Sequence, residues 1–339
     1  MQTLQLRLTK ELIKKAQELV DQGLYSNKSE VIRDALRRLV FNEELKLKEK
    51  RSFLILFSSD FHGNIIQYKK FFIKAYEDKV DAVIIGGDIA PKDPKHRIIK
   101  QQRIFLEKHL IPLIKRFYNK NNKRNHACLT YLMMGNDDFK ANMAFLEKHE
   151  EKTGFKIIHN KCLRLHENFK IIGYSYVPLT PFVYKDWEKL DLTNENEHIK
   201  RKGFIVEGKK SRGNHYIKVR FDLKKRTNTI ERDLKRLLQC SSPSKTVMVI
   251  HAPPYNTSLD LASKGEHVGS AAVRKIIQEK QPYITLHGHI HETVDISKKF
   301  LESINKTICM SVGNDYMGEN VAMIKFNIYN PASAEREVI

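Results

Sequence analysis

The sequence is short of several things, and each shortage narrows the reading. It has four cysteines, Cys128, Cys162, Cys240 and Cys309, and no two of them form a CxxC pair. No thiolate metal motif is present, and cysteines so scattered read as reduced thiols of a cytoplasmic protein. No apolar run is long enough to span a bilayer, and the polar, amphipathic N-terminus is not a signal peptide, so no membrane partner is expected. There is no internal repeat and no low-complexity tract. Acidic residues are in deficit, with 40 Asp+Glu against 60 Lys+Arg and a formal net charge of +20. That imbalance points to a polyanionic partner, nucleic acid first.

What is present divides in two. The chain's 339 residues leave room for a large α/β core and a second module. In residues 1–44, Leu4, Leu6 and Leu8 alternate with polar residues over a short predicted strand. Leu12, Ile13, Ala16, Leu19 and Val20 then recur at helical spacing, and Gly23 ends that helix. Ser26 to Glu30 supply cap chemistry for a second helix, whose apolar stripe is Val31, Ile32, Ala35, Leu36, Leu39 and Val40. A strand and two helices of this size bury little alone, and a lone strand needs a partner. Pairing with the same strand of a second chain meets both needs. The charged, helix-prone segment 45–51 follows as a linker.

From residue 52, apolar strands alternate with helices, which predicts an α/β domain over 52–330 with a mainly parallel sheet. A basic, β-rich insertion occupies about 200–226, with a cationic face suited to a phosphate backbone or simply to solvent. Residues 331–339 read as a C-terminal tail. Five apolar strands are each followed by side chains of ligand type: Asp60 and His62, Asp88, Asn136, His251, and His289 with His291. Such residues fall just past strand carboxyl ends, where open α/β sheets place their sites. On extended chain, residues two apart point the same way, which would aim Asp60 and His62 at one ion. The donors are oxygen and imidazole only, a set that suits Mn²⁺, Fe²⁺, Co²⁺ or Zn²⁺. Seven ligands are too many for one such ion and enough for two ions sharing a carboxylate.

Two resemblances follow from these residues. Residues 2–41, most specifically SNKSEVIRDALRRLV, resemble the ribbon-helix-helix DNA-binding domains. That resemblance implies a homodimer through the ribbon, base contacts from Thr3, Gln5 and Arg7, and a phosphate anchored at the helix opening near Asn27, Lys28 and Ser29. Residues 53–313 resemble the calcineurin-like metallophosphoesterases through DFH, GGD, GND, the histidine of HAPP, and GHIH, in that order. It implies a four-layer α/β/β/α sandwich and two divalent metal ions, manganese first among them. Asp60, His62 and His291 would hold one ion, Asn136, His251 and His289 the other, and Asp88 would bridge. His287 lies outside the set.

The chain departs from the family pattern at Asp137, where many members carry a general-acid histidine. An aspartate beside two cations is expected to be ionised and a poor proton donor, which favours phosphodiesters over monoesters. The leading expectation is a two-metal phosphodiesterase acting on or near DNA through its N-terminal arm. The rivals are an enzyme for a small phosphate ester, such as a cyclic nucleotide or a phosphomonoester, with a merely dimerising or localising arm, and a DNA-binding regulator whose metal domain senses a ligand.

Overall fold

The structure is a computed structural model that describes residues 6–50, 52–92, 98–194 and 203–339, with 41–50 described by backbone alone. It divides into two compact units, Met1–Ser52 and Phe53–Ile339.

In the first unit, helix α1 spans Lys10–Asp21 and α2 spans Lys28–Lys50, so residues 45–50 of the segment read as a linker continue the second helix. Thr9 caps α1 by accepting from the Leu12 amide. The helix ends at Gly23, which sits at φ +72°. There the Leu24 amide reaches back to the Leu19 carbonyl and the Gly23 amide to that of Val20. Asn27 accepts from the Glu30 amide, and Glu30 in turn accepts from the Ser26 amide, a reciprocal cap that starts α2. Of the predicted strand, residues 3–5 lie outside the described residues, Thr3 and Gln5 among them. Among the described residues, 6–9 pair with no strand.

The second unit holds two six-stranded sheets. In chain order the strands are β1 Leu54–Ser58, β2 Ala82–Ile85, β3 Leu129–Leu132, β4 Phe155–Ile157, β5 Cys162–His166 and β6 Phe169–Tyr174. The short pair β7 Val177–Pro178 and β8 Glu188–Lys189 precedes the hairpin β9 Glu207–Arg212 and β10 His215–Arg220. Then come β11 Thr246–Ile250, β12 Ile284–His287, β13 Leu301–Ile304, β14 Thr307–Ser311, β15 Ala322–Asn327 and β16 Asn330–Val338. One sheet runs β16-β15-β1-β2-β3-β4 and the other β13-β14-β12-β11-β6-β5. Strands β1 to β4 are parallel, as are β6, β11, β12 and β14. The segment read as a C-terminal tail is therefore an edge strand, antiparallel to β15.

Three apolar cores follow from which strand face points where. Ile55, Phe57 and Ile84 of the first sheet pack with Val247, Val249 and Leu286 of the second. The other face of the first sheet, including Leu56 and Val83, meets helix α3 (Ile65–Glu77) and the long helical run Ile99–Lys123. The other face of the second sheet, including Met248 and Ile250, meets the helices Ile230–Leu237 and Ala271–Lys280. Strands buried on both faces read as the continuous apolar runs seen in the sequence. Within the run Ile99–Lys123, a π-helical turn over Leu106–Leu110 directly precedes Pro112, which sits in the first turn of the next α segment and so interrupts no α-helical ladder.

One reading is corrected here. Cys162 and Cys240 form a disulfide, with Cα atoms 6.5 Å apart, and only Cys128 and Cys309 are free and buried. The partners are 78 residues apart in sequence. Only the packing of edge strand β5 beside the turn after helix Ile230–Leu237 brings them together, so no local spacing announced the pair. Among the described residues no helix is long and apolar enough to cross a membrane.

Candidate metal centre

The centre is assembled from loops at the carboxyl ends of strands in both sheets. After β1 the chain does not stay extended: Asp60 and His62 have φ +58° and +43°. The extended-chain argument for their shared direction is thus replaced by a tight turn, in which both residues adopt left-handed backbone. Asp88 and His289 do the same, at +51° and +72°. Such conformations cost about 1–3 kcal/mol each in non-glycine residues and persist where the surroundings over-determine them. The surroundings here are backbone hydrogen bonds between loops. The Asp60 amide donates to Gly87 O at 3.0 Å and the His62 amide to Asp88 O at 2.8 Å. Across the second sheet, the His251 amide donates to Tyr174 O and the Gly288 amide to His251 O. Asn64 closes the first turn by capping α3, accepting from the Ile66 and Gln67 amides.

The seven predicted ligands converge. Asp60, His62, Asp88 and His291 offer atoms that all lie within 4.8 Å of one another. His62 Nε2 is 3.0 Å from His291 Nε2 and 3.6 Å from Asp88 Oδ2. On the other side of Asp88, the same Oδ2 is 3.3 Å from His251 Nε2. Asn136 Oδ1 lies 3.1 Å from His251 Nε2 and 2.6 Å from His289 Nδ1. Asp88 therefore stands between two sets of donors. Two glycines permit the approach. A Cβ on Gly135 would overlap Asp88 and His251, and one on Gly288 would overlap Asp60.

The residues present fit metal ions on the chemistry of this donor set. Among the described residues His62 Nδ1 is buried without a hydrogen-bond partner, and its Nε2 faces a second imidazole nitrogen. Burial raises the Asp60 carboxyl above its usual range and presses His62 well below the usual imidazole range. At Asp88 burial works upward, but His251, His62 and the Asp137 amide outweigh it and hold the carboxyl well below its usual range. Burial alone would lower His251, yet Asp88 and Asp60 raise it to about 9. His289 is pushed down to about 3, by burial first and then by His251. Buried carboxyl and imidazole groups crowded at such spacing are a donor set that a cation compensates.

His287 is a structural residue. Its Nδ1 faces the carbonyls of Ile250 and Ala252, its Nε2 faces Thr285 Oγ1, and burial lowers it to about 4. Asp137 Oδ2 lies 3.3 Å from Lys92 Nζ and 3.8 Å from His62 Nδ1. The Lys92 ammonium also sits 4.5 Å over the Tyr316 ring, and that ring is 4.3 Å from the ring of His62. Sequence reading missed Lys92, Tyr316, Asp138 and Asn314. Asp138 accepts from the amides of Ile89, Ala90 and Gly135, and so ties the GGD loop to the GND loop. Burial lifts its carboxyl to about 8. Asn314 is buried and donates to Asp60 O while accepting from the Ala322 amide. Its place in Gly313-Asn314-Asp315, a second GND, was the available signal. In the first unit, Arg7 is exposed, and Asn27, Lys28 and Ser29 sit at the opening of α2, as predicted from the cap.

A cavity of about 530 Å³ opens on Asp88, Asn136, Asp137, His289 and His291, with apolar and aromatic walls that include Phe182, Phe204 and Tyr255.

The chain is 47% identical over 55 residues to protein MJ1162 of Methanocaldococcus jannaschii, a match over 15% of this chain and 25% of that protein. It resembles the crystal structure of TT1561 of Thermus thermophilus at TM-score 0.51 and 13% identity, over 85% of this chain and 99% of the other, a likeness of fold alone. It is also similar to a dimetal phosphatase from Danio rerio at TM-score 0.47 and 12% identity, over 85% and 98% of the two chains. The model of the calcineurin-like phosphoesterases matches residues 53–293, from the strand that leads into Asp60 to just beyond His291, and the chain belongs to that family.

Proposed function

We propose that this metallophosphoesterase is a two-metal phosphodiesterase that acts on nucleic acid and is held to DNA by a dimeric ribbon-helix-helix arm. The observation that carries the two-metal reading is the position of Asp88, whose Oδ2 lies 3.6 Å from His62 Nε2 on one side and 3.3 Å from His251 Nε2 on the other. Asp60, His62 and His291 would hold one ion, Asn136, His251 and His289 the other, with Asp88 between. Divalent ions bound there lower the pKa of a water nucleophile and stabilise charge on the phosphoryl oxygens; manganese, iron, cobalt and zinc all suit the donors.

The protein's own groups do the rest. Asn136 is neutral, so the site keeps a surplus of positive charge for an anionic ester. The cores on the outer faces of both sheets, and the core between them, support the α/β/β/α layering. Lys92 pairs with Asp137, which favours an ionised carboxylate and hence diesters, whose hydrolysis leans less on a donor at this position. For nucleic acid, the basic hairpin β9-β10 turns at Gly213-Asn214 and exposes Lys209, Arg212, Lys218 and Arg220. It is tied to the GND loop through Ser211, which bonds Asp186 and the Ala141 amide. For the arm, Leu6, Leu12, Leu36, Leu39 and Val40 stay exposed in the single chain, the face a second copy would cover.

A second reading, hydrolysis of a small phosphate ester by an enzyme whose arm only dimerises, is favoured by the cavity of about 530 Å³ beside the centre. The deciding experiment incubates metal-reconstituted protein with diesters, cyclic nucleotides, monoesters and single- and double-stranded DNA. Inhibition of small-diester hydrolysis by long DNA supports the first reading, and indifference to it supports the second. Absence of metal-dependent turnover on the whole panel would leave a DNA-binding regulator.

A further inference from the structure

Asp137 stands where the family resemblance puts a proton donor, and its Oδ2 lies 3.3 Å from Lys92 Nζ. On another wall of the same cavity stands a histidine that the metal centre does not use. His267 lines the cavity together with Asn136, Asp137 and His289. Its Nδ1 lies 2.7 Å from Asp260 Oδ1. Asp260 is fully buried and accepts from the amides of Asn256 at 3.1 Å, Thr257 at 2.9 Å and Gly269 at 2.9 Å. A buried carboxyl group bonded by three amides and one imidazole is held in one orientation. The imidazole it holds is 32% exposed, and Nε2 has no hydrogen-bond partner among the described residues.

The loop that carries this pair is braced. The Val268 amide bonds Asp260 O and the Ala262 amide bonds Glu266 O, which makes 260–268 a closed hairpin turn. Its tip is stapled beside the metal centre, because Ser263 donates through its amide and its hydroxyl to Glu292, the residue after His291. The Leu261 amide adds a bond to Thr293 Oγ1. A histidine whose one nitrogen is fixed by a buried carboxylate, with the other turned free beside a reactive centre, is the arrangement that orients imidazoles for proton transfer.

Resting on the phosphoesterase reading above, we propose that His267 is the proton donor to the leaving-group oxygen, with Asp260 as its positioning residue. In the step, a water oxygen bonds to phosphorus as the bond from phosphorus to the leaving oxygen breaks. The Nε2 proton passes to that departing oxygen, the water gives up a proton to solvent, and His267 regains one from solvent. The other charged groups around the cavity are Asp88, Lys92, Asp137, Glu266 and Glu292.

The test compares wild type with His267→Gln and Asp260→Asn on two diesters that differ in their leaving group, a p-nitrophenyl ester that needs no acid and an alkyl ester that does. Metal content and thermal stability are measured on the same preparations. His267→Gln is expected to lose about 100-fold in kcat on the alkyl ester and less than about threefold on the nitrophenyl ester. Asp260→Asn is expected to show the same selectivity with a smaller loss. Equal losses on both esters, or none on either, overturn the proposal. A wild type that hydrolyses neither ester with any of the four metals overturns the phosphodiesterase reading itself, and this proposal with it.

Discussion

His62 Nε2 and His291 Nε2 face each other 3.0 Å apart, where loops from the two sheets meet. Burial, then Lys92 and the neighbouring imidazoles, hold His62 well below the usual imidazole range, and its other nitrogen has no hydrogen-bond partner among the described residues. Two facing imidazole nitrogens can share a single proton, or both can turn lone pairs to a cation. Carboxylates stand behind both, Asp88 3.6 Å from His62 Nε2 and Asp60 3.8 Å from His291 Nε2, so the second arrangement is the electrostatically favoured one.

Asp88 is the residue on which both halves of the centre depend. Asp88→Asn should leave the fold largely intact, because the Asp137 amide that Asp88 accepts can be met by the amide oxygen. Turnover should fall by about 100-fold or more, the equivalent of about 2.7 kcal/mol or more of transition-state stabilisation. Metal content, read by elemental analysis, should drop to one ion or none per chain. Two retained ions with near-normal rates would remove the bridge.

Asp137 separates an electrostatic from an acid role. With Lys92 at 3.3 Å, its carboxylate is a partner for a cation. Asp137→Asn should lower the rate by less than about tenfold with metals retained, since no proton donor is lost. Asp137→His should help esters with basic leaving groups more than activated aryl esters. Steady-state kinetics on both ester types decide the matter, and a loss of several orders of magnitude in Asp137→Asn would make the aspartate catalytic.

The cluster was legible because each predicted ligand follows a strand whose apolar run marks it, and because the short motifs keep their order. Asp60, His62, Asp88, Asn136, His251, His289 and His291 meet where sequence placed them. The reason given for Asp60 and His62 was wrong, since period-two logic assumes extended chain and the loop turns through left-handed backbone. What stayed hidden depends on distant packing. Lys92 follows the GGD loop but has meaning only beside Asp137, and Asp260 with His267 only beside a loop from β12. The Cys162 to Cys240 bridge and strand β16 are products of edge pairing, and β16, with five polar residues among nine and no large apolar residue before Val338, carries little strand signal of its own.

Acid stability should report on a histidine far from the metals in role. His159 Nδ1 accepts from the Ser175 amide, and its ring meets Trp187 edge-on at 4.7 Å. Burial, then Lys140 and Lys189, push its pKa from 6.5 down to about 3. The folded state therefore disfavours the charged form. The stability tied to neutral His159 is complete above pH 6.5 and is lost as pH falls toward 3. The ring is partly accessible, so the loss across that window should be about 2 kcal/mol, below the full linkage value. Urea unfolding at several pH values should show a shallower decline in His159→Gln, whose side chain keeps an acceptor for Ser175. Parallel curves would show that another group carries the acid transition.

The arm's role is decided at Arg7, which is exposed, while Leu6 beside it is 49% exposed in the single chain. If two copies pair through this segment, the leucines are covered and each chain presents one Arg7 to the groove. Arginine suits guanine O6 and N7 in the major groove, and losing such a contact costs about 1–3 kcal/mol per site. Arg7→Ala should therefore weaken duplex binding at moderate salt while sedimentation still shows a dimer. Hydrolysis of a small chromogenic diester by the same preparation should be unchanged, because every ligand of the proposed centre lies in the unit Phe53–Ile339. A binding titration and a kinetic assay, run side by side, check both halves of the statement. Unchanged duplex affinity in Arg7→Ala, or no duplex binding by the wild type, would reduce the arm to a dimerisation device, and the small-ester reading would then lead.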